Sequence, residues 1–424
     1  MTRNGTPRPR PAVSGRHHRT TAALAAGLAL PALLSTTACG GPAAADATGR
    51  DVTVMTFAPS GTGAADRPGM TALAEAIGRD LNAHGGLNGR KVTVLTCNEH
   101  DTTDGATACA NQAVGAHAVA VVGSASQYGS NFIPVLEAAG IPFIGGYGLS
   151  TPEFSSPLSY PVNGGTPALV AGSGRQLIDA GCKQIALIRP DTRAGDALVS
   201  YLNTAVKQTS IKVTDIKAPE KSPDYAPYAR RAIGDDRPGN CVLSALGAEP
   251  TGNLLDPYRR ANPRNTQLAS VIGSFQQSVV DSTGGDSGPL RGAYATGWFP
   301  AESSPVWDSL RATARTYGNG TTIDVTDPGV QTTWVAYTVL RQAAGRIDPT
   351  RPLTAKALQT VLDSGDPIDT AGTTPPLGWG VTNMLPTADS PRLVNTSVTF
   401  QQVQNGRLVE QHQGFTNVRT ILAG

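Results

Sequence analysis

The sequence predicts an α/β protein built as two doubly wound domains. Three observations carry this. From Asp51 onward, short β-rich runs that end in Gly, Ser or Pro alternate with helical stretches rich in Ala and Leu. The run Ala118–Val122 has almost no polar residue, as a parallel strand covered on both faces requires. The alternation then starts again beyond residue 165, although no residue-level repeat links the halves.

In the first half, Asp51–Phe57 reads as a strand. Met70–His84 reads as a helix, with Leu73, Ala76, Ile77 and Leu81 on one stripe and Arg79 and Asp80 off it. Lys91–Thr96, Ala118–Val122 and Ile141–Ile144 are strands, separated by helices over Ala106–Val114 and Phe132–Ala139. In the second half, helices over Leu169–Ala180, Asp196–Lys207, Tyr225–Ile233 and Asn253–Ala261 alternate with strands over Gln184–Ile188, Lys212–Ile216, Cys241–Ala245 and Leu268–Ile272. Two more helices follow, Gln331–Ala344 and Thr354–Leu362. Leu393–Phe400 and Arg407–Leu408 form an antiparallel pair around the turn Gln404-Asn405-Gly406.

The chain of 424 residues is long enough for a large core and two or three domains. A formal charge of +2 excludes a strongly basic nucleic-acid binder. A mean hydropathy of −0.16 excludes a polytopic membrane protein. The charge is unevenly placed: residues 1–38 hold Arg3, Arg8, Arg10, Arg16 and Arg19 and no acid, so the remainder carries 29 bases against 32 acids. This segment reads as a secretory signal. It has a basic region to Arg19 and an apolar stretch Ala22–Leu34, too short to span a bilayer, which takes about 20 apolar residues. Cys39 follows small Ala38 and precedes Gly40 and Gly41, and so resembles the lipidated cysteine of bacterial lipoproteins. Thr36 departs from the apolar residue usual three places earlier, and a plain signal peptide cut near Ala38 or Ala45 is the alternative. Residues 39–50 then read as a flexible tether.

The most informative stretch is Leu81–Arg90, LNAHGGLNGR. A helix end meets a Gly-Gly cap, and Asn88-Gly89 turns tightly into a strand. It resembles the matching element of type I periplasmic binding proteins, the leucine/isoleucine/valine-binding family of transporter receptors. The resemblance covers roughly residues 51–415. It includes the strand ending at Gly123, EAAGIPFIGGYGLSTPEF at Glu137–Phe154, IRPDTRAG at Ile188–Gly195, Pro223–Tyr225, Tyr337–Leu340 and LGWG at Leu377–Gly380. It implies two lobes joined by three hinge crossovers, with ligand in the cleft between them. The crossovers fall near 162–166, 291–295 and 380–385. The first lobe then takes residues 51–164 and 293–382, and the second 165–292 and 383–424.

The resemblance also implies a binding site. In the first lobe it points to Ser126 and Gln127 after the third strand, and to the Gly148 amide and Ser150 hydroxyl in the next loop. Those residues are equally able to cap helices and form turns. In the second lobe, Ala194 stands where relatives carry an aromatic, and Phe275 where amino-acid binders carry the carboxylate that meets the ligand ammonium. An unpartnered ammonium would be costly to bury, which argues against a branched-chain amino acid. Glu249 and Arg193 are candidate charges for the cleft, with solvated surface positions as the alternative. Gln331 and Thr332 begin a helix that faces the cleft in the family.

Beyond Cys39, Cys97, Cys109, Cys182 and Cys241 allow three pairings. The hinge implied by the resemblance favours Cys97–Cys109 and Cys182–Cys241, each inside one lobe. No CxxC or HxxxH spacing supports zinc. Glu99-His100-Asp101 suggests metal or acid–base chemistry or, as in the family, an acidic loop near the cleft mouth. No catalytic constellation, GxSxG, Walker loop or HExxH is present, and no cofactor is expected. The reading is a monomeric receptor, lipid-anchored to the outer face of a bacterial cell membrane. It would capture a small polar solute (amino-acid-like, amide or small carboxylate) for an ABC permease. A ligand sensor for a membrane kinase is the alternative, and an α/β enzyme ranks third.

Overall fold

A computed structural model describes residues 51–62, 66–219, 221–271, 273–320, 323–387 and 389–424, apart from the side chains of Arg193 and Ala194. Cys39, the tether and the signal segment lie outside the described residues.

The first lobe begins with strand β1 (Val52–Ala58), helix α1 (Pro68–Ala83), β2 (Val92–Asn98), α2 (Thr103–Gly115), β3 (Ala120–Val122), α3 (Gly129–Ala139), β4 (Phe143–Ile144), α4 (Pro152–Ser155) and β5 (Ser159–Tyr160). Its five strands form an all-parallel sheet ordered β2-β1-β3-β4-β5. Val54, Phe57, Val121 and Ile144 are fully buried, as strands covered on both faces must be. The expected stripe of α1 is buried, joined by Met70 and Ala74.

The LNAHGGLNGR element has a structural explanation. Asn88 and Gly89 both take positive φ, and Leu87 and Arg90 close a two-residue turn. At Gly86 a Cβ would lie 1.9 Å from the Arg90 carbonyl, so only glycine fits. The Arg90 side chain is 5 % exposed and donates to the Asn88, Pro349 and Arg351 carbonyls. The motif therefore ties the first turn of the lobe to a segment that returns much later in the chain.

The second lobe follows with α5 (Gly165–Asp179), β6 (Gln184–Pro190), α6 (Arg193–Val206), β7 (Lys212–Ala218), α7 (Ala226–Ile233), β8 (Asn240–Ser244), α8 (Ala248–Ala261), β9 (Gln267–Val271), α9 (Gln277–Ser282) and β10 (Tyr294–Gly297). Helices α10 (Asp308–Tyr317), α11 (Pro328–Gly345) and α12 (Ala355–Asp363) return to the first lobe, where α11 packs on α1, β3 and β4. The chain then re-enters the second lobe with β11 (Ser397–Gln404), β12 (Arg407–Glu410), β13 (Thr416–Asn417) and α13 (Arg419–Leu422). The second sheet runs β12-β11-β10-β9-β8-β6-β7, with β13 beside β11. Strands β6 to β10 are parallel and β11 and β12 antiparallel, the latter joined by a tight turn at Asn405-Gly406.

One boundary is corrected. The sequence reading ends the second lobe's first pass at residue 292, but β10 at 294–297 lies inside that sheet, parallel to β9 and antiparallel to β11. The chain therefore leaves the second lobe after Gly297. A four-residue strand that ends in glycine has too little periodicity to be read locally.

Both disulfides are present: Cys97 at the end of β2 with Cys109 on α2, and Cys182 before β6 with Cys241 on β8. Each lies within one lobe. No helix among the described residues is long and apolar enough to cross a membrane.

Candidate functional site

Parallel strands of an α/β sheet present their carboxyl ends to ligands. Here the carboxyl-end loops of both sheets line one cavity of about 580 Å³. The first lobe contributes Arg67 from the β1–α1 loop and Tyr147–Thr151 from the loop after β4. The second contributes Thr192, Leu198 and Tyr201 around α6, Ala245–Ala248 after β8, Val271, Gly273 and Ser274 after β9, and Trp298 after β10. A larger polar concavity of about 1120 Å³ lies at the opposite end of the second sheet, around residues 258–268 and 282–294. It belongs to one lobe alone, so the interlobe cavity is the candidate site.

The core of the site is a stack. The Arg67 guanidinium lies over the Tyr147 ring at 4.9 Å, and Tyr147 meets Trp298 edge-on at 5.2 Å. Arg67 donates through Nη1 to the Asp66 carbonyl at 3.1 Å and through Nη2 to the Tyr147 hydroxyl at 3.5 Å. Trp298 is pinned by Nε1 donating to the Gly165 carbonyl at 2.9 Å. Tyr147 holds the Arg67 guanidinium above its ordinary pKa, against the cost of burial, and Asp327 adds to this. Burial in turn raises the Tyr147 phenol. Across the cavity floor Gly273 has φ +97°, and a Cβ there would lie 2.7 Å from the Tyr147 hydroxyl. The two lobes thus touch where the β4 and β9 loops meet.

The sequence-predicted residues fare unevenly. Gly148 and Ser150 do line the cavity. Their donors, however, are taken by the chain itself. The Glu153 carboxylate accepts the amides of Gly148, Leu149 and Ser150 at 3.0, 3.0 and 2.9 Å and the Ser150 hydroxyl at 2.9 Å. Glu153 is 2 % exposed, and burial raises its pKa to about 7 despite the four donors. The loop expected to hold a ligand anion is thus occupied by the chain's own carboxyl group.

Ser126 is buried outside the cavity lining, donating from Oγ to Glu99 Oε2 at 3.2 Å and accepting from the Tyr128 amide. Glu99 is buried beside it, and desolvation raises it to about 7. Gln127 is exposed and donates to Asp101 Oδ1 at 2.7 Å. Thr332 is fully buried, its hydroxyl donating one turn back to the Pro328 carbonyl, while Gln331 donates to the Val325 carbonyl. Phe275 does not face the cleft. It is 1 % exposed in the second lobe's core, in a cluster with Leu246, Val280 and Leu290, and the β9 loop presents Gly273 and Ser274 instead. Glu249 is exposed on the first turn of α8, outside the lining. Helix α6 begins at Arg193, whose side chain lies outside the described residues. Among the described residues no three His, Cys, Asp or Glu gather as a metal site.

Sequence reasoning missed Arg67 and Trp298. Both sit in irregular loops with no periodicity, and the usable signal was position alone, just beyond the carboxyl ends of β1 and β10.

Comparison with known proteins agrees with this geometry. The family described as "Periplasmic binding protein" matches residues 55–406. A search of curated protein sequences finds no match. Among solved structures, an extracellular ligand-binding receptor from Verminephrobacter eiseniae is similar with a TM-score of 0.71 and 17 % identity, over 84 % of this chain and 99 % of that one. A possible leucine/isoleucine/valine-binding protein from Rhodopirellula baltica gives 0.68 and 16 %, over 87 % and 98 %. A fatty acid ABC transporter substrate-binding protein from Thermomonospora curvata gives 0.68 and 12 %, over 88 % and 94 %. With the family matched across most of the chain and the fold shared from end to end of these structures, the protein belongs to the periplasmic binding protein family.

Proposed function

We propose that this protein is the extracytoplasmic solute receptor of an ABC-type importer, capturing a small polar solute, amino-acid-like, amide or carboxylate, between its lobes without catalysis. The observation that carries this is the cavity built jointly by the carboxyl-end loops of both sheets. A ligand touching both lobes would favour the closed arrangement by its differential contacts. Relatives of this fold carry names from leucine/isoleucine/valine to fatty acid, so the fold leaves the ligand class open. Two disulfides and the family support a location outside the cytoplasm. Residues 1–38 act as the export signal, lipidated Cys39 as the membrane anchor, and 40–50 as the tether in this reading. The test is a thermal-shift screen of amino acids, amides, polyamines and small carboxylates. At least one is expected to raise Tm by several degrees at saturation, and a panel with no effect would reject the receptor role.

A further inference from the structure

We infer that the cleft takes a monocarboxylate with an apolar body, its carboxylate gripped by the Arg67 guanidinium and the Tyr147 hydroxyl. This rests on the receptor reading above and names the ligand class for the same site. Arg67 is half-buried on the cavity wall, and no carboxylate among the described residues forms an ion pair with it. Two of its five N–H donors have assigned partners, both uncharged, one of them at the long distance of 3.5 Å. A guanidinium held flat on a ring, with donors left over inside a partly dry cleft, is a preorganised carboxylate receptor. The alternative anion cradle, the Gly148–Ser150 loop, is filled by Glu153.

The rest of the ligand is read from what faces Arg67. The wall is built from Trp298, Leu198, Val271 and Leu246, which favours an apolar body. An α-ammonium beside the carboxylate would need an acid close to Arg67. Asp327 and Asp66, which act on Arg67, are outside the lining, and Asp327 is engaged in capping α11. The acid on the described lining, Asp389, is exposed and shared with an adjoining chamber of about 370 Å³ that Arg67 does not line. The cavity of about 580 Å³ falls in the range of roughly 300–1,000 Å³ that suits ligands larger than an amino acid.

The experiment is calorimetric titration of the full chain with octanoate, octanamide, octylamine and leucine, repeated on Arg67→Gln, Arg67→Lys and Tyr147→Phe. Octanoate is expected to bind, with octanamide at least tenfold weaker on the unmodified protein, a comparison that needs no variant. Arg67→Gln should weaken octanoate by roughly ten- to a hundredfold, the worth of a charge-assisted hydrogen bond, and octanamide by much less, so that the preference for the acid narrows. Arg67→Lys should fall between, and Tyr147→Phe should cost less than Arg67→Gln. Equal binding of acid and amide, an Arg67→Gln protein with unchanged octanoate affinity, or leucine binding without octanoate would each overturn the inference. If octanoate fails but an amino acid, amide or polyamine binds, the ligand class falls and the receptor role stands. If nothing in either panel binds, both fall.

Discussion

Glu153 shows how one side chain can redirect a site. It accepts four hydrogen bonds from the loop that the sequence offers to a ligand, and it does so from full burial. The signal was present in the sequence: Ser150-Thr151-Pro152-Glu153 has the spacing of a capping box, in which the Glu reaches back to the Ser amide. The hydroxyl and amide were legible as donors, but their partner was not, because ligand and chain compete for the same donors and three residues of separation decide the outcome. A pH dependence follows. The folded-state pKa of about 7 is above the value of about 4.3 for an unfolded Glu. Between these values the folded state holds a proton that the unfolded state has lost, so stability falls as pH rises from about 4.3 to about 7 and is level above that. Glu153 alone accounts for a difference on the order of 3 kcal/mol. Urea unfolding at pH 5 and pH 8 should show this fall in the natural protein and a shallower one in Glu153→Gln. An identical slope in the two proteins would refute the assignment. Glu99, raised for the same reason, adds a component of the same sign that survives the substitution.

The two disulfides do different amounts of mechanical work. Cys97–Cys109 closes a loop of 12 residues between a strand and the next helix, whereas Cys182–Cys241 closes 59 and locks the start of β6 to β8. Chain-entropy arguments give about 3 kcal/mol for the first and about 4 kcal/mol for the second. Replacing Cys182 and Cys241 with Ser should therefore lower the urea midpoint more than replacing Cys97 and Cys109. The reverse order would show that local strain rather than loop length sets their worth. The long elements were readable because their burial imprints a period: the α1 stripe is buried as named, β1 lies within one residue of the expected strand, and the apolar run Ala118–Val122 holds the shorter β3 at Ala120–Val122. Periodicity missed the strands β5, β10 and β13, two to four residues long, and the helices α4, α9, α10 and α13, four to ten residues long. The short strands exist only by pairing with other strands, as when Ser159 and Tyr160 join Phe143 and Ile144. The hydrogen bonds that define them come from residues far away in sequence, so the lobe boundary at β10 was misplaced for the same reason.

At the cavity floor the β9 loop of the second lobe approaches the β4 loop of the first at one glycine. Gly273 sits at φ +97° with the Tyr147 hydroxyl 2.7 Å from where its Cβ would be, and Pro328 of α11 at 3.6 Å. Any side chain at 273 must both strain the backbone and push the β9 loop of the second lobe away from the β4 loop of the first. The strain belongs to one lobe and costs roughly 1–2 kcal/mol. The clash belongs to the pair. A double-mutant cycle separates them. Gly273→Ala alone should destabilise by both amounts. In a Tyr147→Phe background, where the opposing oxygen is gone, it should cost less by a coupling of roughly 0.5–3 kcal/mol. Scattering from the Gly273→Ala protein should also report a larger radius of gyration, since the lobes are held apart. If the two substitutions are additive and the radius is unchanged, the floor contact does not set the interlobe distance, and closure must be governed by the crossover segments instead.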